Sequence, residues 1–173
     1  MQSFVQLLNI ILPASIVLFG MYLIVKSFLE KDFQKKLADI KMKNTELILP
    51  VRLQAYERVC LLLERLSPAN LVPRVNDPSF NSAVLNHRLL AEVRDEYNHN
   101  LSQQVYMSDN AWNVTKNAIN DLNSILNASA MTVDPEAKSI ELAKDIFQRY
   151  SSLEHDPIQV ALTIVKSEIR QFY

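Results

Sequence analysis

The chain has 173 residues, 18 Lys+Arg against 19 Asp+Glu, one Cys and a single Gly, Gly20. One glycine rules out the Gly-rich phosphate cradles of P-loop and Rossmann sites and disfavours hairpin-rich sheets, and one cysteine excludes an intramolecular disulfide framework and a Cys-based zinc site. A net charge of −1 lacks the positive field that bulk nucleic-acid binding needs, so no nucleotide, nucleic acid or cofactor is expected.

Residues 1–25 carry no charged side chain. A helix from Phe4 to Val25 rises roughly 33 Å at 1.5 Å per residue, enough for a bilayer core of about 30 Å. Gln6, Asn9, Pro13 and Ser15 weaken this run without breaking it; Pro13 removes one backbone bond and favours a kink. A cleaved signal peptide needs a basic start and a small-residue cleavage site. Nothing before Lys26 is basic and no A-x-A-like site follows, so a retained anchor is expected, with a buried soluble helix as the other reading.

The basic flank lies after the run, in Lys26, Lys31, Lys35, Lys36, Lys41 and Lys43, against Glu30, Asp32 and Asp39. The positive-inside rule then predicts the N-terminus outside and residues 26–173 in the cytoplasm. A free Cys60 suits that reducing compartment. The sequons at Asn100, Asn113 and Asn127 would not meet the glycosylation machinery there.

Residues 26–49 extend the anchor as a helical stalk. Phe33, Leu37, Ile40, Asn44 and Leu47 follow 4-3 spacing, and with Leu37 at heptad position a, Asn44 also falls at a, where a lone Asn sets register in paired helices. The pattern spans fewer heptads than a coiled coil normally shows. Two readings stand: an amphipathic stalk packed on its own domain, or a stalk that pairs in a homo-oligomer.

Pro50 has the fixed φ of a helix start and predicts a new helix to Leu66, stopped by Ser67-Pro68. Leu53, Tyr56, Val59, Cys60, Leu62, Leu63 and Leu66 form its apolar side, and Glu57, Arg58, Glu64 and Arg65 its wet side. Asp77-Pro78, Asp134-Pro135 and Asp156-Pro157 each place an N-cap residue before a proline, predicting helices from about 78, 134 and 156. These carry Val84, Leu85, Leu89 and Val93; then Ile140, Ala143, Phe147, Tyr150 and Leu153; then Ala161, Leu162, Val165, Ile169 and Phe172. Another helix begins at Ser108, with Trp112, Thr115, Ile119, Leu122 and Leu126 in register. The last two should form an antiparallel hairpin. The expected fold is all-α: a transmembrane helix (1–25), a basic stalk (26–49), and a cytoplasmic helical domain of about five helices (50–173).

Chemistry-bearing constellations are sparse. Glu96 and His99 share a helix face and form the one E-x-x-H, whereas di-iron bundles need two such motifs and two further Glu. His87, His99 and His155 have no second local ligand, a nucleophile elbow is impossible without its glycines, and Asp95-Glu96 sits among cations as a solvated face would. No catalytic, metal or cofactor-binding residue is assigned. Asn98-His99-Asn100-Leu101-Ser102-Gln103-Gln104 is the most polar segment, and its amides both donate and accept; a surface turn, a buried network and a partner contact all fit it.

Two stretches, Leu53-Gln-Ala-Tyr-Glu-Arg-Val-Cys-Leu-Leu-Leu-Glu-Arg-Leu-Ser-Pro-Ala-Asn-Leu-Val-Pro-Arg-Val75 and Arg94-Asp-Glu-Tyr-Asn-His-Asn-Leu-Ser-Gln-Gln-Val-Tyr-Met-Ser-Asp-Asn-Ala-Trp112, resemble a family of small single-pass membrane proteins of Bacteroidota without an established function. The resemblance implies the inner membrane of a Gram-negative cell and implies no chemistry. On this chain Glu57 and Glu64 form one charged stripe, and Arg58 and Arg65 an adjoining one. They either solvate the face or receive a partner helix.

The leading expectation is a non-enzymatic membrane-anchored adaptor or accessory subunit of an inner-membrane complex, with secretion, gliding or proton-driven envelope machines as candidate hosts. Its expected partners are the lipid bilayer and other inner-membrane proteins, and its candidate contacts are Glu57, Arg58, Glu64, Arg65, Asn100, Gln103 and Gln104. The alternative is a self-assembling structural protein paired through Phe33, Leu37, Ile40, Asn44 and Leu47. A metal-dependent enzyme using Glu96 and His99 is the remote third.

Overall fold

The structure is a computed structural model that describes residues 2–172, with the side chains of residues 3–10 and 172 outside the description. Gln6, Asn9 and Phe172, assigned above from the sequence, therefore have no side-chain account. Among the described residues there are six α-helices: α1 (Gln2–Leu66), α2 (Pro68–Val75), α3 (Ser82–Asn100), α4 (Asp109–Thr132), α5 (Ser139–Ser151) and α6 (Pro157–Ile169). Among the described residues there is no strand, only an isolated bridge between Asn81 and Lys138. The chain divides into two compact units, Met1–Ile48 and Leu49–Tyr173.

The first unit is the N-terminal part of α1. It is long and apolar enough to cross a membrane, and its apolar window has no buried residue. Ile16, Leu18, Phe19 and Ile24 are all exposed. Farther along, Phe33, Leu37, Ile40, Asn44 and Leu47 are exposed too, Leu47 at 74%. In the charged region Lys36 reaches one turn back to Asp32 at 2.9 Å.

Pro50 does not open a helix; it lies inside α1. An interior proline costs about 3 kcal/mol because it removes a backbone donor and crowds the preceding turn. Helix-favouring residues on both sides and the burial of Ala55, Tyr56 and Val59 just beyond outweigh that cost.

The second unit buries two apolar clusters. One joins Leu62, Leu66 and Leu71 to Leu85, Leu89 and Val93 of α3, Leu122 and Leu126 of α4, and Leu142 and Ile146 of α5. The other joins Tyr56, Val59 and Leu63 to Trp112 and Ala118 of α4 and Ile158, Leu162 and Val165 of α6. The long α4 serves both, because Trp112, Thr115, Ile119, Leu122 and Leu126 keep one face buried along its length.

This division corrects the expected hairpin. α6 packs on α4 and shares the second cluster with α1, and α5 lies on α3 and α4 rather than on α6. The buried face of α5 is Ser139, Leu142, Ala143 and Ile146. Ile140, Phe147 and Leu153, expected in the core, are exposed, as are Leu53 and Val84. Apolar residues lie on both sides of α5, so its periodicity alone does not choose a face.

Two of the three Asp-Pro steps are turns rather than caps. Asp77 accepts from the Ser79 amide (2.8 Å) and hydroxyl (2.6 Å), and Asp134 accepts from the Glu136 amide at 3.0 Å. The two turns pair: Ser82 N–H donates to Ala137 O at 2.8 Å, Ala83 N–H to Pro135 O at 3.0 Å, and Ser139 N–H to Phe80 O at 3.1 Å. These bonds satisfy amides at the starts of α3 and α5, which begin at Ser82 and Ser139. Asn81, not Asp77, caps α3 by accepting from Val84 N–H at 2.9 Å. Asp156 does cap α6, accepting from Gln159 N–H at 3.0 Å, and Ser108 caps α4. The short α2 was missed in the sequence because Ser67-Pro68 both stops α1 and starts the next helix at its first position.

Candidate partner-binding groove

Within the second unit, Tyr56, Val59, Leu62, Leu63 and Leu66 form the buried side of the C-terminal part of α1. That fixes what the other sides carry. Arg58 and Arg65 turn toward the end of α3, where with Leu61, Glu96, His99 and Asn100 they line a surface groove of about 420 Å³. Leu61 is 54% exposed, an aliphatic side chain standing between two arginines.

The groove's two arginines differ in state. Arg65 Nε donates to Glu96 Oε2 at 2.9 Å, and its guanidinium lies 3.9 Å from Glu92. Arg74 also bonds Glu92 and reaches the Arg65 carbonyl at 3.2 Å. Arg58 is exposed and forms no ion pair among the described residues. The groove therefore holds one neutralised cation, one open cation and an apolar contact between them. Asn100 is 4% exposed and donates to Glu96 O at 2.9 Å, which ties down the last turn of α3 and with it the Glu96 backbone.

The structure brings together three of the seven expected contacts, Arg58, Arg65 and Asn100. Glu64 lies on another side of α1, 3.7 Å from Lys166 of α6, and Glu57 is exposed outside the groove. Gln103 and Gln104 bond within their own 3-10 turn (Leu101–Tyr106), to Ser102 Oγ at 3.2 Å and Leu101 O at 2.9 Å. Leu61 is not among the expected contacts, although it lies three residues after Arg58 and four before Arg65 and so shares their side of the helix. Glu96 and His99 line the groove, Glu96 being taken by Arg65. Among the described residues, no three His, Cys, Asp or Glu are placed to hold a metal ion.

A second polar node was not legible at all. Glu168 of α6 accepts from Tyr56 OH of α1 and from the Ser108 hydroxyl (2.6 Å) and amide (3.3 Å) at the start of α4. Burial pushes the Glu168 carboxyl up, but the bonds from Ser108 and Tyr56 outweigh it and hold the group below its ordinary value. The Tyr56 hydroxyl is pushed up by burial and by the bond it donates to Glu168. The two partners of Glu168 lie 112 and 60 residues before it in sequence, so no local pattern announces the node. The node is structural: three helices are pinned by one carboxylate.

Among the described residues one helix is long and apolar enough to cross a membrane, and the helical unit carries a mixed apolar and basic groove: the class is a small all-α protein with a potential membrane anchor. The chain belongs to a family of unknown function, DUF7935, whose model matches residues 2–172. No curated protein and no solved structure matches it.

Proposed function

We propose that the protein is a non-enzymatic adaptor or accessory subunit, anchored in the inner membrane of a Gram-negative cell by residues 1–25, with its N-terminus outside and its helical unit in the cytoplasm. The apolar, unburied start of α1 supports the anchor, and the lysines that follow it support the orientation. The observation that carries the adaptor reading is the groove of α1 and α3. Arg58 has no ion-pair partner there and Leu61 is half in solvent, the mix of open charge and apolar area from which a partner contact is made. Secretion, gliding and proton-driven envelope machines are the hosts by association alone.

The test is co-purification of the tagged full chain from membranes in mild detergent. The wild type should bring down an inner-membrane partner in fixed proportion. The double variant Arg58→Glu, Leu61→Asp should lose it while melting at the same temperature, since both side chains are exposed. Recovery of the wild type alone, at monomer mass, contradicts the proposal.

A further inference from the structure

Four grooves on the second unit differ in charge. In the groove of Arg58, Arg65 is already matched by Glu96. A second sets Arg74 and Arg88 against Glu92 and Asp95. A third, beside Glu154 and Asp156, is acidic. The fourth, about 400 Å³ between α3 and α4, is lined by two cations and no carboxylate.

Its floor is buried Val93 and Ile119 with the half-buried ring of Tyr97, and its rim is exposed Arg94 and Lys116. Neither rim cation forms an ion pair among the described residues. Asn120 and Asn123 complete the α4 side and supply amide donors. We infer that this groove binds a small amphiphilic carboxylate, its apolar body on Val93, Tyr97 and Ile119 and its charge between Arg94 and Lys116. The volume lies in the range of small-ligand clefts, roughly 300–1,000 Å³, and an apolar floor with a few convergent polar groups is the usual composition of such sites. An ammonium ligand would face two like charges, and an uncharged one would leave both cations unmatched.

The fold carries its own reporter. Trp112, the chain's single tryptophan, stacks on Tyr97 with ring centroids 5.9 Å apart. A ligand seated against Tyr97 changes the surroundings of that stack. The experiment titrates the full chain, held in zwitterionic lipid nanodiscs, with octanoate, octanol and octylammonium, using empty nanodiscs to subtract partitioning into lipid. Octanoate should give a saturable change in Trp112 fluorescence, weakened by salt, while octanol and octylammonium should not saturate in the same range. The double variant Arg94→Ala, Lys116→Ala should bind octanoate about tenfold more weakly, the size two exposed ion pairs carry together. If that variant fails to fold, the salt dependence and the three-ligand comparison on the wild type decide the matter. No saturable response to octanoate, equal binding of octanol, or unchanged binding by the folded double variant overturns the inference. None of these outcomes touches the Arg58 groove, so the adaptor proposal stands or falls separately.

Discussion

Leu63 and Arg58 sit five residues apart on α1 and do opposite work. Leu63 is wholly buried against α4 and α6, and Arg58 stands in solvent. Truncating a buried leucine to alanine typically costs about 2–5 kcal/mol, cavity included, a large share of the roughly 5–15 kcal/mol that holds a domain together. Exposed substitutions usually stay within about 0.5 kcal/mol. Leu63→Ala should lower the melting temperature clearly and Arg58→Ala should leave it in place. A larger loss for Arg58→Ala than for Leu63→Ala would mean the faces of α1 are reversed. Glu168 supplies a pH-dependent counterpart. Its folded pKa lies below its ordinary 4.5, so its stabilisation is complete above that value and is lost as the pH falls through the lower folded one. Asp77, held down by its bonds to Ser79, and Asp145, held down by Arg149, act with the same sign. Acid unfolding followed by circular dichroism should therefore be shallower below about pH 4.5 in Glu168→Gln than in the wild type, with a residual slope from the two aspartates. Identical acid limbs would mean the Tyr56–Glu168–Ser108 node contributes nothing that titrates.

Among the elements, α4 and α6 were legible because cap and periodicity agree. Ser108 and Asp156 cap them, and the expected faces are the buried ones, save that Ile169 is half-buried and Phe172 lies beyond α6 with its side chain outside the description. The starts of α3 and α5 were not, because the same Asp-Pro pair serves a cap and a turn, and only the pairing of the two turns across 55 residues decides which. Asn81 both caps α3 and donates to Glu136 Oε2 at 3.2 Å. Losing an N-cap of this type costs about 1 kcal/mol, so Asn81→Ala should lower the melting temperature by several degrees and by more than Asp77→Ala, whose carboxylate serves an exposed turn. The reverse order would return the cap to Asp77. In the groove, helical spacing shows the α1 side, where Leu61 stands three residues after Arg58 and four before Arg65. It does not show the α3 side, because Glu96, His99 and Asn100 lie 35 or more positions away from Leu61 and leave no trace in a helical repeat.

For the whole molecule, the all-helical class follows from the scarcity of glycine and the helical spacing of apolar residues, and both units carry it. What the sequence could not assign is how its helices pair: α5 and α6 are neighbours in the chain, yet they belong to different apolar clusters. The account of function rests on the first unit being an anchor and the second a cytoplasmic binding surface. A dual reporter fused after Tyr173 tests that most directly, with one half active only in the cytoplasm and the other only outside it. The account predicts cytoplasmic activity in the membrane fraction, lost to the soluble fraction when residues 1–25 are removed. Activity of the external half, or a full-length chain that stays soluble, contradicts it.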